Sequence, residues 1–308
     1  MEPNGASGEG RGAAEPRGSR LGLLWMLLGT ACFLAMSGFV KALREDGMST
    51  HEVMFWRVAP GVPWVWAELR LRKQRIWPND VGPVAARAMF GLGAMALYFQ
   101  ALRALSLVEY TVLSLLQPIA VALLSPVMLR ERLKRNAVVA LLVALVGALV
   151  VLRPDRAGAV RLELVAVALG VGATGFSALA HIYVRKATAK DSPERVVFWF
   201  TATVSIATLA MGLIEGDFLT ELPAGLGLAE AALKIVGTAG FGLAGQLFMT
   251  RAYGRAAAPM VAMVAYAAIP GSILVDLLVW GLRPGASEIV GSTLMIVAGV
   301  LLVRGRAE

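Results

Sequence analysis

Apolar and polar positions fall along the chain in long blocks, not in short alternating stripes. Runs of about 20 mainly apolar residues, the length that crosses a bilayer as a helix, are separated by short polar connections. Ten such runs can be drawn, at roughly 21–43, 50–69, 82–104, 107–129, 136–153, 161–185, 194–214, 229–253, 257–281 and 286–303. They predict an all-α membrane protein of ten transmembrane helices. The connections leave no room for a separate soluble domain. Residues 1–19 are polar and rich in Gly, Pro, Glu and Arg, which predicts a disordered tail. Ala35-Met36-Ser37 loosely fits a signal-peptidase site, but the apolar run starting at Leu21 continues past it, so a retained helix is expected.

Composition agrees with the blocks. Charged residues make up 16% of the 308, against about a quarter in soluble domains, so there are too few to cover a water-facing surface. The net charge of +8 would suit nucleic acid if it were concentrated on one face. Instead the cations sit in the short loops. With the N-terminus placed inside, 19 Lys and Arg fall in inside segments and 7 in outside ones. That bias is the positive-inside pattern, and it expects both termini to be cytoplasmic. Cys32 is the single cysteine, which excludes an internal disulfide, and with two histidines it leaves little for a Cys/His metal centre.

The chain also matches itself. Ser49, Val53, Phe55 and Trp56 return as Ser192, Val196, Phe198 and Trp199, an offset of 143, and Gly29 and Phe33 return as Gly172 and Phe176 at the same offset. Val40-Lys41 matches Val184-Arg185 with a slip of one residue, and Gly91-Leu92-Gly93 matches Gly240-Phe241-Gly242. Each copy holds five runs. Because five is odd, the second copy enters the membrane from the opposite side. Such inverted repeats are an architecture of secondary transporters, in which two equivalent halves rock about a site near the midplane. The expected division is a tail over 1–19, a first five-helix repeat over 20–153, a connector over 154–160, a second repeat over 161–304 and a short tail over 305–308.

One stretch resembles a known family. Tyr98-Phe-Gln-Ala-Leu-Arg103, then Leu105-Ser-Leu-Val108, Pro118 and Leu129-Arg-Glu131-Arg132-Leu133 are similar to the EamA type of the drug/metabolite transporter superfamily, as is the Phe55-Trp56-Arg57 segment. The likeness extends over about residues 20–304. It implies ten helices in two inverted repeats that carry small metabolites. It also implies a helix-end role for Glu131 in gating the cytoplasmic mouth. The second copy departs from the pattern: Leu282 stands where the closing glutamate is expected, and Pro118 is answered by Ile269, with Pro270 one position later.

Ionisable and polar groups inside a bilayer are the candidates for function, because burying them is costly. Lys41 shares a polar stripe with Thr30 and Ser37. It either attracts an anionic substrate group or snorkels to the interface. Arg57 lies about two turns inside its run and either binds a carboxylate of the substrate or pairs with Glu109. Tyr98 shares a face with Arg87, Gly91 and Ala94. Arg87 itself reads first as an interfacial arginine. Tyr110, Ser114 and Gln117 form a stripe with Ser106, beside a kink expected at Pro118. Gln246 and Tyr266 are mid-membrane polar groups of the second half. Asp276 either takes a coupling proton or pairs with Lys234. His181 reads as a hydrogen-bonded interface residue. The glycines at 237, 240, 242 and 245 lack the Lys-Ser/Thr of a phosphate loop and suit close helix packing.

These candidates expect a secondary transporter of a small organic metabolite, amino acid-like or otherwise amphiphilic and carrying an anionic group, in a bacterial inner membrane. No ATP-binding segment is present, so energy would come from a gradient, exchange or downhill flow. An intramembrane lipid-modifying transferase would need clustered carboxylates or a nucleophile–base pair, and Glu109 and Asp276 are isolated; no enzyme activity is expected. A receptor or assembly subunit would show no change of accessibility between faces. No cofactor or metal is expected. The partners are a small-molecule metabolite and the lipid bilayer, not nucleic acid, with a homodimer left open.

Overall fold

The structure is a computed structural model of the chain and describes residues 17–101, 113–131, 135–152, 164–216, 218, 227–280 and 283–304. Among these residues every regular element is helical. The order is α1 (Arg17–Glu45), α2 (Thr50–Val58), α3 (Gly61–Leu71), α4 (Val81–Ala101), α5 (Gln117–Met128), α6 (Arg135–Leu152), α7 (Leu164–Ala187), α8 (Pro193–Glu215), α9 (Leu228–Arg255), α10 (Ala258–Val264), α11 (Ala268–Trp280) and α12 (Ala286–Arg304), with a 3-10 turn over Ala265–Ala267. Helices α1, α4, α7, α8 and α9 contain stretches long and apolar enough to cross a bilayer, and the other long apolar segments are shorter. Leu123, Val127, Leu164, Ile206 and Val236 point outward and are exposed. Water would not favour so continuous an aliphatic surface, whereas lipid would.

The expected spans are not all unbroken. The run 50–69 divides into α2 and α3 because Pro60 has no N–H for the Trp56 carbonyl. The run 257–281 divides at the 3-10 turn, where Pro270 likewise cannot bond the Tyr266 carbonyl. Residues 17–19, drawn as the end of the tail, belong to α1.

Local chemistry sets several helix ends. Ser49 caps α2 by accepting from the Glu52 N–H, while Glu52 accepts from the Ser49 N–H, each at 3.1 Å. Ser192 caps α8 by accepting from the Arg195 N–H at 3.4 Å, with Pro193 in the first turn. The Phe-Trp pairs that follow the two serines adopt the same edge-on arrangement, with ring centres 5.3 Å apart at 55/56 and 5.6 Å at 198/199.

The helices pack across the midpoint of the chain. α1 lies along α9, α4 along α7, and α6 along α12, while α2 and α3 meet α8 and α5 meets α10. Missing side chains allow this closeness. A Cβ on Gly245 would sit 2.7 Å from the Phe33 ring, and one on Gly93 would sit 2.7 Å from the Phe176 ring. A Cβ on Gly147 would sit 2.7 Å from the Gly291 carbonyl oxygen. Lipid tails are as apolar as leucine, so tight contact of this kind is what holds such helices together.

Candidate functional site

A polar cavity of about 510 Å³ lies among α1, α2, α4, α7, α8 and α9. Its walls combine Arg57, Arg87, Tyr98, Ser114, Ser177, His181 and Gln246 with Phe33, three methionines at 36, 54 and 95, Phe200 and Met249. None of these lining residues is acidic.

Arg87 is held from two directions. Its guanidinium carbon stands 3.9 Å from the Phe200 ring centre, and its Nη2 donates to Gln246 Oε1 at 3.4 Å. Gly91, one turn further along α4, makes room: a Cβ there would sit 2.9 Å from the Phe200 ring. A guanidinium on an aromatic face gains roughly 0.5–2 kcal/mol, more as water is excluded. Arg87 is thus buried without a carboxylate partner among the described residues, 5% exposed. Arg57 reaches the cavity from α2, with its Nη1 3.9 Å from the Met54 sulfur. A Cβ on Gly242 of α9 would lie 3.2 Å from the Met36 sulfur and, at ordinary contact distance, 3.5 Å from Arg57 Cγ.

Below Arg87 the cavity has a floor. His181 stacks on Tyr253, ring centres 5.2 Å apart, and the Gln117 amide hydrogen-bonds His181 Nδ1. Beneath that floor Glu131 and Arg185 form a clasp. Glu131 Oε1 accepts from Arg185 Nε at 2.8 Å, and Glu131 Oε2 accepts from the Ala258 N–H at 2.9 Å. Arg185 Nη1 also donates to the Tyr253 and Gly254 carbonyls at 3.0 and 3.2 Å. One ion pair therefore ties together the ends of α5, α7 and α9 and the start of α10. It lies at the end of the molecule that carries Arg130, Lys186, Arg251 and Arg255.

Of the residues singled out from sequence, Arg57, Tyr98, Ser114 and Gln246 meet in this cavity, and Gln117 touches it through His181. Lys41 does not: it is exposed and sits 3.9 Å from Glu45. Tyr266 lines a separate apolar recess with Leu23, Leu27 and Met295, and its hydroxyl donates to the Leu115 carbonyl at 2.5 Å. Lys234 pairs with Asp46 and Glu230, each at 2.7 Å. Glu109, Tyr110 and the side chain of Asp276 lie outside the described residues. Sequence reasoning read Arg87 and His181 as interfacial and gave no site role to Phe200 or Arg185. Signals existed for two of them: Arg87 shares a face with Gly91 and Tyr98, and Arg185 answers Lys41 in the repeat. Among the described residues no group of three or more His, Cys, Asp or Glu is arranged to hold a metal.

Residues 20–153 match the EamA-like transporter family. A similar protein of Pseudomonas aeruginosa, the pseudopaline exporter CntI, is 28% identical over 286 residues, which cover 92% of this chain and 96% of that one. Over residues 20–153 the chain is similar to EamA-type membrane transporters. An uncharacterized transporter of Helicobacter pylori (strain J99) is 27% identical over 295 residues, covering 91% and 94% of the two chains. A solved crystal structure aligns with a TM-score of 0.76 at 18% identity over 95% of this chain and 99% of that one, a likeness of fold. Glu131, the glutamate singled out by the resemblance in the sequence, is the acid of the clasp.

Proposed function

We propose that this chain is an EamA-type secondary transporter that moves a small organic anion by alternating access between two inverted five-helix repeats, 20–153 and 161–304. The observation that carries the substrate reading is the pair of guanidiniums, Arg57 and Arg87, in one cavity whose described lining contains no carboxylate. Two cations desolvated together repel each other, and an incoming anion relieves both costs. Tyr98, Ser114 and Gln246 add neutral hydrogen-bonding groups, and the methionines and Phe200 suit an apolar or ring portion.

Matched features of the two halves support the inverted repeat. Exchanging the halves turns the α1–α9 contact into the α7–α4 contact, and both are extensive. Ser49 and Ser192 are both helix caps. Gly147 and Gly291, which correspond at an offset of 144, face each other between α6 and α12 as residues beside a two-fold axis would. Ten spans put both termini on one side, and the Lys and Arg bias makes that side the cytoplasm of a bacterial inner membrane. The Glu131–Arg185 clasp then seals the cytoplasmic end. Its outer counterpart would pair Lys41 with position 282, which is leucine. The outer closure therefore lacks that ion pair.

The exporter among the relatives supports outward movement. No clustered carboxylates or nucleophile–base pair among the cavity residues supports a transferase. Thermal stabilisation of the purified protein, screened over mono- and dicarboxylates, amino acids and uncharged analogues, tests the proposal. Carboxylates should raise the melting temperature where their amides do not. Equal stabilisation by acid and amide would contradict the anion reading.

A further inference from the structure

A second cleft, sharing no lining residue with the polar cavity, lies on the protein surface at the end of α3. It has a volume of about 780 Å³ and is lined by Arg70, Lys73 and Arg75 together with Trp66, Trp77 and Trp199. None of its lining residues is acidic. Glu68, one turn before Arg72, is engaged by Arg72 at 2.8 Å. Arg70, Lys73 and Arg75 are exposed.

The cleft wall is built. Arg195 Nε donates to the Arg75 carbonyl at 2.8 Å, Trp199 Nε1 to the Ile76 carbonyl at 3.0 Å, and Ser192 Oγ to Gln74 Oε1 at 2.8 Å. Asp191 accepts from the Asn79 N–H at 2.8 Å and pairs with Arg195 at 2.6 Å. The segment 74–80 is thereby fixed to the α7–α8 turn. Lys73 holds a left-handed backbone, φ 54, where a helix end commonly takes glycine.

The shape beyond the cleft is informative. Trp77 and Trp199, ring centres 5.1 Å apart, form its far edge and are also the near edge of an apolar groove between α4 and α8. That groove runs over Val81, Val84, Ala85, Ala88 and Met89. Tryptophans gather at the headgroup level of a bilayer, and lysines and arginines on the cytoplasmic side attract acidic lipids. A basic, indole-walled cleft at headgroup depth that opens into an apolar groove has the polarity of a single glycerophospholipid.

We propose that this cleft binds one anionic phospholipid of the inner leaflet, its phosphate among Arg70, Lys73 and Arg75 and an acyl chain in the α4–α8 groove. The test is native mass spectrometry of the purified protein titrated with phosphatidylglycerol, phosphatidylethanolamine or inorganic phosphate. The wild type should retain phosphatidylglycerol at least about fivefold better than phosphatidylethanolamine. The R70Q/K73Q variant should lose that preference, whereas R135Q/R255Q, which removes the same charge from exposed positions on the same side, should keep it. Trp77→Ala should lower phosphatidylglycerol occupancy about threefold by removing the indole edge. Equal loss in the two double variants would overturn the proposal by showing a bulk charge effect. Displacement of the lipid by millimolar phosphate would overturn it in favour of a soluble anion. Should R70Q/K73Q fail to fold, Lys73→Gln alone carries the same comparison.

Discussion

Phe200 stands in the second half of the chain where Arg57 stands in the first, and both side chains end in one cavity, Phe200 with the Arg87 guanidinium 3.9 Å from its ring centre. A position that is a cation in one copy is the platform for a cation in the other. Two guanidiniums thus reach a shared space by different routes, Arg57 from α2 and Arg87 from α4.

The route through Phe200 has a measurable consequence. Phe200→Leu keeps an apolar side chain of similar reach but removes the π face, so Arg87 loses roughly 0.5–2 kcal/mol of orientation. Anion affinity should fall about 2- to 30-fold, read by ligand-dependent thermal shift. Phe200→Trp, which offers a stronger cation–π surface, should hold affinity within about threefold. A loss in the Trp variant equal to that in the Leu variant would argue that only packing matters.

The Glu131–Arg185 clasp should control access from the basic-loop end. Removing either charge of a partly buried pair leaves the other uncompensated, at a cost of about 1–3 kcal/mol. Glu131→Gln should make a cysteine placed at Ser177, in a Cys32→Ser background, several-fold more reactive to a charged maleimide from that face. The double reversal E131R/R185E should recover much of the protection. Unchanged labelling in Glu131→Gln would remove the clasp from the account.

Gly147 and Gly291 test the packing that supports the repeat. A methyl on Gly147 would lie 2.7 Å from the facing carbonyl, whereas nothing stands within 4 Å of a methyl on Gly240. Gly147→Ala should therefore lower thermal stability, costing about 1–3 kcal/mol. Gly240→Ala should be neutral or slightly stabilising, because alanine is the better helix former. Both are read by the melting temperature in detergent.

Tyr266→Phe separates structure from transport. It leaves the Leu115 carbonyl without its donor, which costs about 1–3 kcal/mol when the group is buried. Melting temperature should fall while anion affinity holds, since Tyr266 is outside the cavity. A loss of affinity with stability intact would place Tyr266 on the substrate path.

Much of the frame was legible in the sequence because it rests on local rules. Apolar run length located the long helices, and Ser49 and Ser192, read only as matched positions of the two halves, prove to be helix caps. The breaks at Pro60 and Pro270 were also present as letters, although the run length concealed them. The cavity was half legible. Arg57, Tyr98, Ser114 and Gln246 were recognised as polar groups at membrane depth, and they converge. Tyr266 carried the same signal and faces elsewhere, because helical periodicity tells which residues share a face but not which neighbour that face meets. Arg87 looked interfacial because its depth can be counted, whereas Phe200 on α8 and Gln246 on α9 cannot be placed from α4. Lys234 pairs with Asp46 across 188 residues, a choice made by tertiary packing alone. Lys41 and Arg185 correspond in the repeat but differ in environment, since one has Glu131 within reach and the other does not.

The most direct test of the central claim is counterflow in proteoliposomes preloaded with the carboxylate that most stabilises the protein. Wild-type protein should accumulate the labelled anion, and Arg87→Gln and Arg57→Gln should each reduce the initial rate about 10- to 100-fold, as the loss of a charge-assisted contact implies. Wild-type accumulation that is unaltered by both substitutions would contradict the two-guanidinium cavity as the site through which the solute passes.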